Sequence, residues 1–364
     1  MFAPFDRRHK EAFQSIAVNS IIKKIKVNKG NTLKIFTKEC IDYALNQKVD
    51  ENFKDLALDS SICTRDFQSV LQFTESFSRT EHFIYRAYAY SRLNMTNKIV
   101  SLKLQFQQKY ADSLDLPRNS FITGSMEFLL LYGEQNYTMA LTTIEEIEQL
   151  LALHPNELEN KLFTQLILTL GCQAYLQISN FDKVEALARK ILQSAVKMED
   201  PYFQSVALNL ITTVLINKGE FRKAQKMMSA AILPADKTGL AADRASLLNN
   251  SAKLEFARGD YESSIKLLEQ IYELVSGNPR AQAISAINIT ELNILLNRTE
   301  SAENMLDTSL LLDKKHNLQL IEPYLLSAWI SIVKNDLDKA ESFLQISQER
   351  VDTTGEIRKQ PNIL

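Results

Sequence analysis

The residue types that most often do chemistry are present in this chain, but not at the spacings that chemistry uses. The four histidines, His9, His82, His154 and His316, are scattered over the length, and none falls in a His-Glu-x-x-His arrangement that would hold zinc. The three cysteines, Cys40, Cys63 and Cys172, are far apart and odd in number. They suggest no disulfide framework, and they fit a reducing compartment. No Gly-rich phosphate loop and no nucleophile elbow occurs. Glu145, Glu146 and Glu148 make an acidic cluster that reads as the solvated face of a helix. No catalytic residue, metal site or cofactor is expected, and the chain is expected not to be an enzyme.

What remains is recognition chemistry. Residues 1–40 hold nine Lys or Arg against three acids, a local balance of +6 in a chain whose formal charge is -2. Arg7, Arg8, Lys23, Lys24 and Lys26 are the candidate nucleic-acid contacts in this stretch. Amphipathic helices are expected over 11–26 and 31–46, broken at Val27-Asn28-Lys29-Gly30, as in a fragment of a helix-turn-helix. The competing reading is a solvated helical cap that keeps the end of a helical stack soluble. Phe83, Tyr85, Tyr88 and Tyr90 could form a stacking platform for bases, but packing between helices is the expectation for them.

The elements that must position these residues are helices. Only nine Gly and eight Pro occur in 364 residues, the profile of a nearly all-helical chain with short connections. Charge lies in Met1 to Arg8, where a signal peptide would have its apolar core, and Phe128 to Tyr132 falls far short of the roughly 20 residues of a membrane span. No membrane insertion and a cytoplasmic location are expected.

One pattern organises the chain. Asn180-Phe181-Asp182-Lys183-Val184, Gly219-Glu220-Phe221-Arg222-Lys223-Ala224 and Gly259-Asp260-Tyr261-Glu262-Ser263-Ser264 each read as a tight turn, an aromatic, and a small or β-branched residue three later. Such a turn needs left-handed backbone, and the small residue lets two helices approach closely. Carried along the chain, first helices are expected over 120–132, 156–178, 201–218, 238–258, 279–297 and 321–334. Their partners are expected over 136–153, 181–198, 221–233, 261–276, 299–315 and 337–351. The close-approach positions are Ala140, Val184, Ala224, Ser264, Ala302 and Ala340, spaced 44, 40, 40, 38 and 38. Ile99 lies 41 residues before Ala140, so 81–93 and 97–112 read as a degenerate further pair. Pro117 and the capping candidates Asn119 and Ser120 mark a boundary. Three regions follow: 1–118 helical with basic first 40 residues, 119–351 a repeat array, and 352–364 a flexible tail.

Gly219-Glu220-Phe221-Arg222-Lys223-Ala224, Gly259-Asp260-Tyr261 and Asn335-Asp336-Leu337-Asp338-Lys339-Ala340 resemble the second half of a tetratricopeptide repeat. The family's small first-helix residue is matched by Cys172, Thr212, Ala252, Thr290 and Ala328, none of them Gly. The period exceeds the usual repeat of about 34 residues. It is similar to the expanded repeats of bacterial signalling proteins, including peptide-sensing regulators. The resemblance implies an all-α fold, a right-handed superhelical array of antiparallel helix pairs whose first helices line a concave face. In register, one row on that face runs Ser125, Thr169, Asn209, Asn249, Ile287, Leu325, and the next runs Leu129, Gln173, Thr213, Lys253, Glu291, Trp329. Amides both donate to and accept from a peptide backbone, Lys253 and Glu291 suit a terminus or charged side chain, and Trp329 suits an apolar anchor.

The partner-binding candidates are therefore Thr169, Gln173, Asn209, Thr213, Asn249, Lys253, Glu291 and Trp329. The expected function is a non-enzymatic scaffold or adaptor that binds a protein or peptide segment. The alternative is a peptide-responsive regulator whose basic amino-terminal region contacts DNA. A homodimer through Leu325, Trp329 and Ile332 of the last pair is a further expectation.

Overall fold

The computed structural model describes residues 58, 61–62, 65–76, 79–158 and 161–354. The expected helices at 11–26 and 31–46, the basic candidates Arg7, Arg8, Lys23, Lys24 and Lys26, and residues 355–364 of the tail lie outside the described residues.

Among the described residues the fold is all-α, with sixteen α-helices, one 3-10 turn and no strand. Helix α1 (Phe67–Ser76) precedes seven pairs. These are α2 (His82–Arg92) with α3 (Thr96–Lys109), and α4 (Pro117–Gly133) with α5 (Tyr137–Leu153). After the single turn α6 (Pro155–Leu158) come α7 (Leu162–Gln177) with α8 (Phe181–Lys197), and α9 (Pro201–Asn217) with α10 (Phe221–Thr238). The last three are α11 (Ala241–Ala257) with α12 (Tyr261–Leu274), α13 (Pro279–Leu295) with α14 (Thr299–His316), and α15 (Glu322–Val333) with α16 (Leu337–Thr354).

Every pair turns in the same way. Asn94, Gln135, Ser179, Gly219, Gly259, Asn297 and Asn335 all have left-handed backbone, with φ between 57° and 83°. The amide three residues past the end of each first helix, from Met95 to Asp336, donates to a carbonyl five residues back at 2.8–3.0 Å. That is the Schellman closure, which satisfies carbonyls left over at a helix end. Asn136, Asn180 and Asp260 then cap the second helix by accepting from the amides of Met139, Lys183 and Ser263. The turn at Asn94 has this form too, so α2 and α3 are a true member of the series.

The small positions close the pairs. Ala140, Val184, Ala224, Ser264, Ala302 and Ala340 are all buried, as are Cys172, Thr212, Ala252, Thr290 and Ala328 opposite them. Cys172 Sγ lies 3.9 Å from the Val184 carbonyl, and Ser264 Oγ donates to the Ala252 carbonyl at 2.9 Å. A side chain touching the partner's backbone is what a short residue permits and a long one prevents. Phe83 and Tyr85 are core residues, as packing required, while Tyr88 and Tyr90 are half-buried.

Three local expectations fail. Helix α10 does not stop at 233 but runs through Pro234 to Thr238, ending at left-handed Gly239. Ala231, Pro234, Ala235 and Thr238 are all buried there, so packing outweighs the missing amide of Pro234. The helix expected over 156–178 is divided, with one turn at Pro155–Leu158 and the main helix from Leu162. Asn119 and Ser120 do not cap α4, which starts at Pro117 after extended Leu116. Their side chains instead donate back to the carbonyls of Ser113 and Leu114 at 2.9 Å, pinning the preceding loop.

Compactness divides the chain between Asp243 and Arg244. In the amino-terminal unit the core holds Phe121, Phe128, Ile167, Phe203 and Ile211, with Phe121 and Phe163 rings 5.4 Å apart. In the carboxy-terminal unit Ala252, Ile265, Leu268, Ile271, Ile289 and Leu292 make one cluster. Ala283, Ile287, Ala302, Leu306, Leu320, Leu326 and Ile330 make another.

Candidate functional site

The first helices of the amino-terminal unit place four of the candidates. Thr169, Gln173, Asn209 and Thr213 are all half-buried, on α7 and α9, which lie alongside each other. The Tyr132 hydroxyl donates to Gln173 Oε1 at 3.2 Å, joining α4 to α7 at this level. Burial, then the neighbouring Tyr137, pushes the Tyr132 phenol above its ordinary pKa, so it is a firm donor. The Thr213 hydroxyl donates to the Asn209 carbonyl at 3.0 Å, and the Asn217 amide donates to the Thr213 carbonyl at 2.8 Å. Ser125 and Leu129, in register on α4, are fully buried and belong to the packing instead.

The carboxy-terminal unit places the other four. Asn249 is half-buried and Lys253 is exposed one turn further along α11. Lys253 makes no ion pair or hydrogen bond among the described residues, and burial of its surroundings lowers its pKa below the ordinary lysine value. Glu291 on α13 is half-buried, and its carboxyl is raised by desolvation and then by the like charge of Glu322. Trp329 is half-buried, packed on the cluster of Ile287, Leu326 and Ile330. Ile287 itself is buried, so the row is broken there. Leu325 is half-buried and Ile332 is 52% exposed.

Sequence reasoning passed over the ion pairs that join successive pairs of helices. Glu145 pairs with Lys183 at 3.1 Å, and Lys218 with Asp182 at 2.7 Å and Glu185 at 3.2 Å. Glu148 pairs with Lys190 at 2.5 Å. In the carboxy-terminal unit Arg298 pairs with Glu262 and Lys334 with Glu303. The acidic cluster on α5 thus serves to link elements 38 to 42 residues apart. The signal was a carboxylate and a cation recurring one period apart.

Among the described residues no group of three His, Cys, Asp or Glu could hold a metal ion, and no helix is long and apolar enough to cross a membrane. Cys172 is buried, and desolvation pushes its thiol pKa up, so it is held as a neutral packing residue.

Residues 243–315 match the tetratricopeptide-repeat family model. The fold is that of tetratricopeptide-repeat proteins. Solved structures of repeat proteins show the same fold at low sequence identity. The Rap protein complexed with competence and sporulation factor matches with TM-score 0.57 and 12% identity, over 92% of this chain and 86% of that one. NprR in complex with its cognate peptide NprX matches with TM-score 0.54 and 15% identity, over 85% and 95%. A Cut9-Hcn1 hetero-tetramer of APC/C matches with TM-score 0.61 and 12% identity, over 94% of this chain and 61% of that one. No curated protein matches by sequence.

Proposed function

We propose that these repeats form a non-enzymatic interaction module that holds a peptide or protein segment against their first helices. The observation that carries this reading is a pair of opposite charges on successive first helices, Lys253 exposed on α11 and Glu291 half-buried on α13, neither with an ion-pair partner among the described residues. A desolvated, unpaired charge costs free energy, and a bound group of opposite sign recovers it. Glu291, raised with no cation beside it, supplies the opposite sign two helices on. A segment with a carboxylate near Lys253 and a basic group near Glu291 fits that pair. The complexes of Rap and NprR, proteins of the same fold, lend support at the level of fold.

Native mass spectrometry of the chain purified from its own cells tests this. An adduct lost in Asn249→Ala and Lys253→Ala, with helicity unchanged by circular dichroism, is the expected result. An adduct retained in both variants sinks the assignment, and the same spectra report any homodimer.

A second reading rests on the +6 balance of residues 1–40. There the chain is a cytoplasmic partner-responsive regulator, with residues 1–118 as the effector region and 119–351 as the sensor. Its affinity for DNA falls steeply as salt rises. Absence of binding at low salt removes this reading.

A further inference from the structure

Four of the second helices open on an acid. Helices α8, α12, α14 and α16 carry Asp182, Glu262, Glu300 and Asp338, each at the second position of its helix. An acid there suits the positive end of the helix dipole. Asp182 and Glu262 also hold a cation of the following pair, Lys218 and Arg298. Helices α3 and α5 have neutral Asn97 and Thr138 at this position. Helix α10 alone has a cation, Arg222, and its first turn contains no acid. Arg222 is exposed and makes no ion pair or hydrogen bond among the described residues. A basic residue at a helix start with nothing to compensate it works against its own fold, and such departures mark surfaces that face a partner.

Arg222 is one of a set. Lys226, Ser229 and Leu233 follow it at spacings of four, three and four, which stacks them on one face of α10. All are exposed, and Lys226, like Arg222, has no ion-pair partner among the described residues. Beside Leu233, which is 63% exposed, Ile232 is 53% exposed. The opposite face is committed to the core of the amino-terminal unit through buried Ala224, Ala231 and Ala235. Helix α10 thus presents cations near its start and two large aliphatic side chains further along. Asp236, its single acid, lies beyond them.

We propose that this face of α10 is a docking surface for an acidic amphipathic protein segment. The segment's carboxylates meet Arg222 and Lys226, and its apolar side chains cover Ile232 and Leu233. Charge complementarity sets the sign of the partner, and a guanidinium suits a carboxylate because it can donate to both oxygens at once. The aliphatic pair separates a protein partner from other polyanions. A phosphate backbone offers Ile232 and Leu233 no apolar surface. Two aliphatic side chains, on a helix whose other face is buried, are too few to seat in a lipid bilayer. The surface lies on a second helix, so it stands apart from the reading of Lys253 and Glu291.

The test is fluorescence anisotropy of the full chain with a labelled helical peptide carrying Glu and Leu at spacings of three and four. A Gln-for-Glu counterpart, a labelled DNA duplex and co-sedimentation with phosphatidylglycerol vesicles are the controls. The expected result is saturable binding of the acidic peptide, weakened about tenfold in the double variant Arg222→Glu, Lys226→Glu and weakened by salt in the parent. Leu233→Ser should weaken it without changing the salt dependence, and Lys253→Ala should leave it unchanged. The double variant should melt at or above the parent temperature, since Glu in a first turn suits the helix dipole, so its loss of binding is not a loss of fold. Absence of saturable binding, equal binding of the Gln peptide, or unchanged affinity in the double variant overturns the surface. Binding lost in Lys253→Ala places the peptide against the first helices and overturns it too. Tighter binding of the duplex or the vesicles overturns the protein partner and assigns the face to that polyanion.

Discussion

Arg350 on α16 pairs with Asp313 on α14, Nη1 to Oδ2 at 2.8 Å, and Asp313 is only 1% exposed. The same carboxylate accepts from the Leu320 amide at 2.9 Å, and the guanidinium donates to the Leu320 carbonyl at 2.7 Å and the Tyr324 hydroxyl at 2.9 Å. The guanidinium also stacks 4.3 Å over the Tyr324 ring. One side chain thus ties the last helix to the two before it. Among the described residues α16 has a neighbouring helix pair on one side only, and this clasp adds to the packing on that side.

Asp313→Ala leaves the Arg350 charge largely shielded without its partner, and should destabilise the carboxy-terminal unit by about 3–5 kcal/mol. Arg350→Lys should recover only part of the parent stability, because an ammonium cannot reproduce the planar fork or the ring stack. Urea unfolding of the three proteins checks the order. Equal stability of Asp313→Ala and the parent contradicts it.

The Glu291 carboxyl is raised above its ordinary value, so its contribution to stability is present below the unfolded pKa and lost as pH rises through the folded one. Near neutral pH it destabilises the fold. Glu291→Gln should therefore raise the melting temperature near neutral pH and leave it unchanged in acid, below the carboxylate range. Lys253, lowered in the fold, has the opposite profile: the fold gains as pH rises from its folded pKa towards its unfolded one. Lys253→Met should stabilise the chain near neutral pH while weakening partner binding. Stability and binding that fall together in either variant would mean that the charge is structural.

Ser179 and Gln135 occupy turn positions where Gly219 and Gly259 stand in other pairs, at φ 57° and 58°. Left-handed backbone costs a residue with a side chain about 1–2 kcal/mol. Ser179→Gly should stabilise the amino-terminal unit by about 1 kcal/mol, and Gly219→Ala should destabilise it by a similar amount. Nothing lies within 4 Å of a Cβ added at Gly219, so the effect there is backbone strain alone. Equilibrium denaturation of both variants, moving in the same direction, would contradict this account.

Lys218 bridges Asp182 and Glu185, and those contacts raise its pKa, the hydrogen bond to Asp182 foremost. Both partners lie on the surface or near it, so Lys218→Ala should lower the melting temperature slightly at low salt and hardly at all at about 1 M, where screening acts over about 3 Å. A salt-independent loss would assign Lys218 a packing role instead.

The periodic features were legible because each is dictated by a few neighbouring residues. A left-handed turn residue and a small residue five positions on announce one helix pair each, with a proline in the first turn at Pro117, Pro201, Pro279 and Pro323, and the recurrence from Ala140 to Ala340 announced the array. Helix α10 marks the limit of that local reading. Pro234 signals a stop to any local rule, and only the packing of Ala231, Ala235 and Thr238 carries the helix past it. The candidate faces show the same division. Register placed Thr169, Asn209, Asn249 and Lys253 on the first helices, but it gave Ser125, Leu129 and Ile287 the same standing, and these are core. Register sets a residue's angle around its own helix; how deep it lies depends on how closely the next helix approaches. The sequence alone therefore determined the helices, their turns and their repeat, whose causes are local. Tertiary structure decided which polar groups are satisfied, paired or left open, because a hydrogen bond or an ion pair needs a partner from another helix at bonding distance.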